Sequence, residues 1–245
     1  MYDLSPLRTK LTIELLKRIY ILLLCALAGL QAKAQSNYYK MSLGAGAGAA
    51  VAFGDLRKQV ITPAVYGAAD FYFTPYVSVG LEGQVGKLKG GDTSLYNKNF
   101  SNSYKAGNLN VRVAAGAFMK KRYVPNTFNT LVRGIYVGTG IGLLRNDIKE
   151  RYPTLNADPR INQGKRKSWD ALVPVNVGLN VGLKEKNGYE RFVINLNFQS
   201  NFTFGEGMDG FDDNPLFIPN SNSDIYTLTS VGIKYKFGRV GYYKR

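Results

Sequence analysis

The chain has 245 residues, 45% of them hydrophobic and 13% aromatic, with 27 glycines and 32 Lys+Arg against 17 Asp+Glu, a net charge of +15. That length fits one all-β domain. There is no histidine, which excludes Ser–His and Asp–His catalysis, and the single cysteine, Cys25, excludes an internal disulfide.

Residues 1–34 read as a cleaved secretory signal. Arg8, Lys10, Lys17 and Arg18 precede the apolar run Ile19 to Leu30, and Ala32-Lys33-Ala34 supplies an A-x-A cleavage site. The run is too short for a helix across roughly 30 Å of hydrocarbon. Leu24 before Cys25 is not the small residue that a lipidation site wants. The mature chain, 35–245, then keeps 27 basic against 15 acidic residues, +12, and no cysteine.

From there the pattern has period two, as in strands with one apolar and one polar face. The first strand is Tyr38 to Phe53, where Leu43, Ala45, Ala47 and Val51 alternate with Ser42, Gly44, Gly46 and Gly48. A loop, Gly54 to Thr62, leads to Ala64–Thr74, and Thr74-Pro75-Tyr76 is a tight turn. Val77–Leu88 sets Val79, Leu81 and Val85 against Ser78, Glu82 and Gln84. A loop, Lys89 to Ser103, precedes Tyr104–Lys120, and Pro125-Asn126 turns the chain. Thr130–Leu144 is followed by the longest loop, Arg145 to Ser168. Trp169–Lys184 is followed by the turn Glu185-Lys186-Asn187-Gly188.

Arg191–Phe204 has the cleanest alternation, with Phe192, Ile194, Leu196, Phe198, Phe202 and Phe204 on one face and Asn195, Asn197, Gln199, Asn201 and Thr203 on the other. The loop Gly205–Ser223 leads to Asp224–Phe237. No segment after the signal shows helical periodicity. Eight strands with alternating short turns and longer loops predict an all-β, eight-stranded antiparallel up-and-down transmembrane β-barrel.

A soluble lipid-binding barrel also alternates, with its apolar face inside. Its outer face would carry many Lys and Glu. Here the polar face is mostly Gly, Asn, Gln, Ser and Tyr, which suits a narrow hydrogen-bonded lumen. The charges gather in loops and strand ends. An eight-stranded barrel has room inside only for its own side chains. Asp70, Glu82, Arg112 and Lys234 fall on the inner face. Glu82 lies seven residues after the Pro75 turn and Arg112 eight before Lys120, so similar heights and a Glu82–Arg112 ion pair are expected, with Asp70 and Lys234 as further members. The alternative is contact with lumenal water. Gly44-x-Gly46-x-Gly48 and Gly138-x-Gly140-x-Gly142 open no helix, so they are read as room for Tyr and Arg from across the lumen and not as phosphate loops.

Over nearly all of 35–245 the chain resembles the small OmpA/OmpX-like outer-membrane β-barrel proteins. The likeness rests on the signal with Ala32-Lys33-Ala34, on Asp70-Phe71-Tyr72-Phe73-Thr74-Pro75-Tyr76 running into Gly80-Leu81-Glu82-Gly83, and on Val231-Gly232-Ile233-Lys234-Tyr235-Lys236-Phe237-Gly238. The last is similar to the terminal-strand signal read by the barrel-assembly machinery, carried here by Val231, Ile233, Tyr235 and Phe237. It departs from the family pattern in that Gly238 to Arg245 follow.

The resemblance implies Sec export to the outer membrane of a Gram-negative-type cell; no peptidoglycan-binding domain is read after the barrel, so a tethering role is not expected. The family's enzymes rely on histidine, so a non-enzyme without cofactor or resident metal is expected. Asp209, Asp212 and Asp213 cluster in the last loop, but their spacing fits no EF-hand. The basic excess is assigned to location and not to nucleic acid. Arg145, Lys149, Arg151, Arg160, Lys165, Arg166 and Lys167 would meet outer-membrane lipid and lipopolysaccharide phosphates; ordinary solvated loop charge is the alternative. The expected role is envelope-structural or surface interaction through long loops. The alternatives are a narrow passive channel or an accessory subunit bound to another envelope protein.

Overall fold

The computed structural model describes residues 37–53, 59–92, 98–119, 127–152, 167–184, 190–205, 207–208 and 224–243. They form strands β1 (Asn37–Phe53), β2 (Gln59–Val60), β3 (Thr62–Thr74), β4 (Val77–Asp92), β5 (Lys98–Ala114), β6 (Ile135–Tyr152), β7 (Lys167–Lys184), β8 (Glu190–Phe204) and β9 (Ile225–Tyr242). Each long strand is antiparallel to the next long strand in the chain, and β1 pairs with β9 to close the ring. β2 pairs with β4 just beyond the end of β3, so it extends β3 and adds no stave. The barrel therefore has eight staves of 13 to 18 residues. A tilted strand needs only about 9–11 to cross a membrane.

Burial decides which face is which. Along β3, Thr62, Ala64, Tyr66, Ala68, Asp70 and Tyr72 are buried, and every residue between them is exposed. Around the ring the polar face is the inner one: Gln84, Asn110, Asn176, Gln199 and Asn201 are at most 1% exposed. Val65, Leu81 and Ile141 are 57%, 64% and 67% exposed. In water such an exterior would be unstable. Against hydrocarbon it is the low-energy arrangement, and ring closure leaves no unpaired edge. The chain is thus a transmembrane β-barrel. Leu81→Arg, at the middle of the apolar stretch of β4, is expected to cost about 2–4 kcal/mol in lipid vesicles. Unchanged urea stability would contradict a lipid-facing position.

Several expected boundaries are corrected. β4 runs on to Asp92 and β5 starts at Lys98, so most of the expected loop from Lys89 to Ser103 is ladder. β6 runs through Arg145 to Tyr152, paired with β5 as far as Asn99↔Tyr152. Hydrogen bonding continues beyond the apolar band, where no hydrophobic alternation marks it. β5 ends at Ala114 and not Lys120, in a 3-10 turn at Ala115–Ala117. β6 begins at Ile135 and not Thr130, because Thr127–Gly134 is an α-helix, α1. Its Thr and Val content reads as strand. However, Phe128 and Leu131 sit three apart on one helix side, and Arg133 favours the C-terminal end of the helix dipole.

The 20 residues from 115 to 134 therefore join β5 to β6 at the end where the sequence predicts only short turns. The five residues 93–97 join β4 to β5 at the opposite end.

β9 extends past Phe237 to Tyr242. Gly238 has φ +87°, a conformation glycine adopts without penalty. Around it the face parity changes. Val231, Ile233 and Tyr235 point outward before it, whereas buried Gly241 and exposed Tyr242 follow it. The residues after Phe237 are thus a continuation of the strand beyond a local irregularity. They bring a second exposed aromatic, Tyr242, to its end. Phe237 itself is only half-exposed and stacks on Tyr235.

Candidate functional site

The lumen is filled in layers. Next to the layer of Tyr72 and Lys236, the structure brings Asp70 of β3, Glu82 of β4, Arg112 of β5 and Lys234 of β9 into one cluster. Arg112 donates from Nη1 to Asp70 Oδ1 at 2.7 Å and from Nη2 to Glu82 Oε2 at 2.5 Å. Lys234 Nζ donates to Asp70 Oδ2 at 2.7 Å, and Ser42 Oγ donates to the same oxygen at 3.2 Å. All four charged residues are at most 5% exposed. Two cations face two carboxylates, so the cluster is neutral overall, as buried charge requires.

Glu82 and Arg112 do not stand at matching positions on β4 and β5, as counting from the turns predicts. Arg112 lies opposite Ser78, and Glu82 opposite Asn108. Strand tilt and the length of the guanidinium side chain bridge the four-residue offset.

The glycines give this cluster its space. A Cβ at Gly138 would strike Arg112, one at Gly178 would strike the Tyr136 hydroxyl, and one at Gly46 would strike the Tyr66 ring and the Val231 carbonyl. Those tyrosines anchor an amide chain. Tyr66 donates to Asn195 at 3.2 Å, Asn195 to Tyr136 at 2.9 Å, and Tyr136 to Asn197 at 2.9 Å. Asn197 then donates to Asn176, and Asn176 to Asn110, each at 3.2 Å. On the other side Gln84 donates to both Glu82 at 2.8 Å and Gln199 at 2.9 Å, and accepts from Tyr226 at 3.1 Å. Through Gln84 the cluster is thus hydrogen-bonded to Gln199 and Tyr226, while the chain from Tyr66 to Asn110 forms a second lumenal network. The Asn108 amide and the Tyr104 hydroxyl are buried without a hydrogen-bond partner among the described residues.

Sequence reasoning missed the layer toward the end that bears the β6–β7 and β8–β9 loops. Leu88, Leu144, Leu172 and Leu228 are at most 1% exposed and pack with Tyr104, Tyr226 and Met208 into an apolar plug. The two tyrosine rings lie 5.1 Å apart. A signal for it exists: Leu88 shares parity with Glu82 and Gln84, and Leu144 with Gly138, Gly140 and Gly142. Both, however, fall at the last position of a predicted strand, where parity carries least weight. Asn102 clamps Met208 from beneath, donating to its carbonyl at 2.8 Å and to Asn146 at 2.7 Å. At the opposite mouth, Thr130, Arg133 and Gly134 of α1 line a polar cavity of about 260 Å³ with Tyr72, Tyr76 and Lys236.

Of the expected basic loop, Arg145 and Lys149 lie on β6, and Lys167 is the first residue of β7. Arg145 packs over the Trp169 ring at 5.5 Å, and Lys149 pairs with Asp147 at 2.7 Å. Arg151 is on β6 with its side chain outside the described residues. Arg160, Lys165 and Arg166 lie outside them altogether, as do Asp209, Asp212, Asp213 and the expected signal, 1–34. Of the terminal-strand residues, Val231, Ile233 and Tyr235 point outward at 52%, 53% and 40% exposure.

No protein-family model and no curated protein sequence matches the chain. Solved structures do. Neisserial surface protein A shares 11% identity over 81% of this chain and 97% of its own, with a TM-score of 0.48. Ail, the attachment invasion locus protein of Yersinia pestis, shares 12% over 82% and 99%, with a TM-score of 0.43. The N-terminal β-barrel domain of Pseudomonas aeruginosa OprF shares 10% over 82% and 100%, with a TM-score of 0.40. From its own closed ring, packed polar lumen and apolar exterior, the chain is a small eight-stranded transmembrane β-barrel.

Proposed function

We propose that the chain is a non-enzymatic integral protein of the outer membrane, exported by Sec and inserted by the barrel-assembly machinery. Its role is to stabilise the envelope or to present its loop end to a partner. The observation that carries this reading is the burial of the described lumenal side chains. An apolar plug, a neutral charge cluster and a chain of amides occupy the lumen, leaving the outer wall and the loops as the surfaces with which the chain can act. The absence of histidine supports a non-catalytic role.

A passive channel would call for a lumen without a closing charge network, so the filled interior speaks against it. Planar bilayers are expected to show no single-channel steps from the folded protein. Regular conductance steps would replace the structural reading with the channel. Location is tested separately, by separating membranes by density and comparing gel mobility before and after boiling. A heat-shifted band in the outer-membrane fraction is expected, and a soluble periplasmic protein without a shift would refute the assignment. Stoichiometric co-purification with one envelope protein would identify the accessory-subunit role.

A further inference from the structure

The outer wall is not uniform. One row of outward positions runs straight across four staves: Ala45 is paired with Gly67, Gly67 with Gly83, and Gly83 with Gly107. A Cβ added at Gly83 or Gly107 would meet nothing within 4 Å. Gly67, Gly83 and Gly107 lie in an apolar groove that is open along the outer wall, bordered by Leu43 of β1, by Leu81, Leu109, Ile141 and Leu143, and by Phe204 of β8.

Two residues along the strands, toward the loop end, the pairing Val85–Lys105–Arg145–Trp169 crosses β4 to β7. Two residues further comes Lys87–Ser103–Asp147–Lys167. Lys87, Lys105, Arg145 and Lys167 are all exposed, with Asp147 as the acid among them. The Trp169 ring is 67% exposed and carries the Arg145 guanidinium at 5.5 Å. A groove for hydrocarbon thus abuts a cationic shelf at the rim of the apolar band. The shelf spans three strand spacings, roughly 14 Å, more than a single phosphate requires.

We infer that this wall is a binding site for a bisphosphorylated, multiply acylated glycolipid of the outer leaflet. An acyl chain would lie in the glycine groove, and the phosphates would sit on Lys87, Lys105, Arg145 and Lys167, with Trp169 at the interface where aromatic rings settle. The inference rests on the outer-membrane reading for its choice of leaflet. It goes beyond that reading by naming the ligand class, the staves and the residues.

The test is native mass spectrometry of the folded full chain from zwitterionic detergent. Lipid A, monophosphoryl lipid A and phosphatidylglycerol are added in turn, and the heat-dependent gel shift is recorded on each sample. Retention is expected in the order given. Lys105→Gln with Arg145→Gln is expected to weaken lipid A retention about tenfold or more. Gly83→Leu with Gly107→Leu fills the groove from outside without touching the lumen. It is expected to weaken lipid A retention while keeping the heat shift. Equal retention of all three lipids by the unmodified chain, or unchanged lipid A retention in the groove-filled variant, would overturn the site while a persisting heat shift left the barrel standing. Loss of the shift from the unmodified chain would instead refute the membrane reading itself.

Discussion

Arg112→Met is expected to destabilise the barrel by about 3–5 kcal/mol in urea unfolding from lipid vesicles. Among the described residues, Arg112 is the side chain that bridges both carboxylates of the cluster, holding Asp70 at 2.7 Å and Glu82 at 2.5 Å. Without it, Lys234 still neutralises Asp70, and Glu82 keeps only the neutral Gln84 amide. The uncompensated charge would be buried, which is why breaking such a pair costs far more than the pair itself contributes. Glu82→Gln removes one charge and leaves the guanidinium with Asp70, so the loss is expected to be smaller. In the double variant the orphaned carboxylate is gone. Its destabilisation should fall short of the sum of the single variants by about 0.5–3 kcal/mol. Strict additivity would show that the side chains are merely neighbours and that each is stabilised by something else in the lumen.

The second large effect is at the closing seam. Gly46→Val is expected to cost roughly 3 kcal/mol or more, the upper end of overpacking, and to deprive the protein of its compact, heat-shifted form. A Cβ at Gly46 would land on the Val231 carbonyl oxygen, the Tyr66 ring and the Gly232 Cα. Two of those three are backbone atoms of β9 that cannot turn away without parting the β1–β9 pairing. Gly83→Val is the control. It introduces the same β-branched side chain into a strand, but outward, where nothing lies within 4 Å. It is expected to change stability by less than about 0.5 kcal/mol. If both variants fold alike, the seam glycines serve something other than close approach. The comparison is read by gel mobility before and after boiling, followed by urea titration of whatever folds.

Much of the site is legible in the residue pattern alone. Covalent geometry makes successive strand side chains point to opposite faces, so the parity of Asp70, Glu82, Arg112 and Lys234 places each of them on the polar face of its own strand. The same parity identifies the glycines opposite the tyrosines. Other features carry little periodic signal. Arg145 to Tyr152 form strand because β5 supplies hydrogen-bond partners, and their side chains are too polar to show alternation. Thr127 to Gly134 carry β-branched residues yet form α1. Leu88, Leu144, Leu172 and Leu228 obey the lumenal parity, but only their convergence from four staves makes them a plug.

The sequence by itself therefore determined the number of long staves, the two faces of each and the sorting of residues between them, because the period of two is fixed within a single strand. It did not determine contacts, because a contact between staves depends on register, and register is a property of pairs. Arg112 meets Glu82 across a four-residue offset that counting from turns does not give. Gly67, Gly83 and Gly107 form one row only because separate registers align them. The direction of the apolar face, outward in this ring, was settled only when the eight staves closed, since closure assigns one side of every strand to the narrow interior and the other to the surrounding lipid.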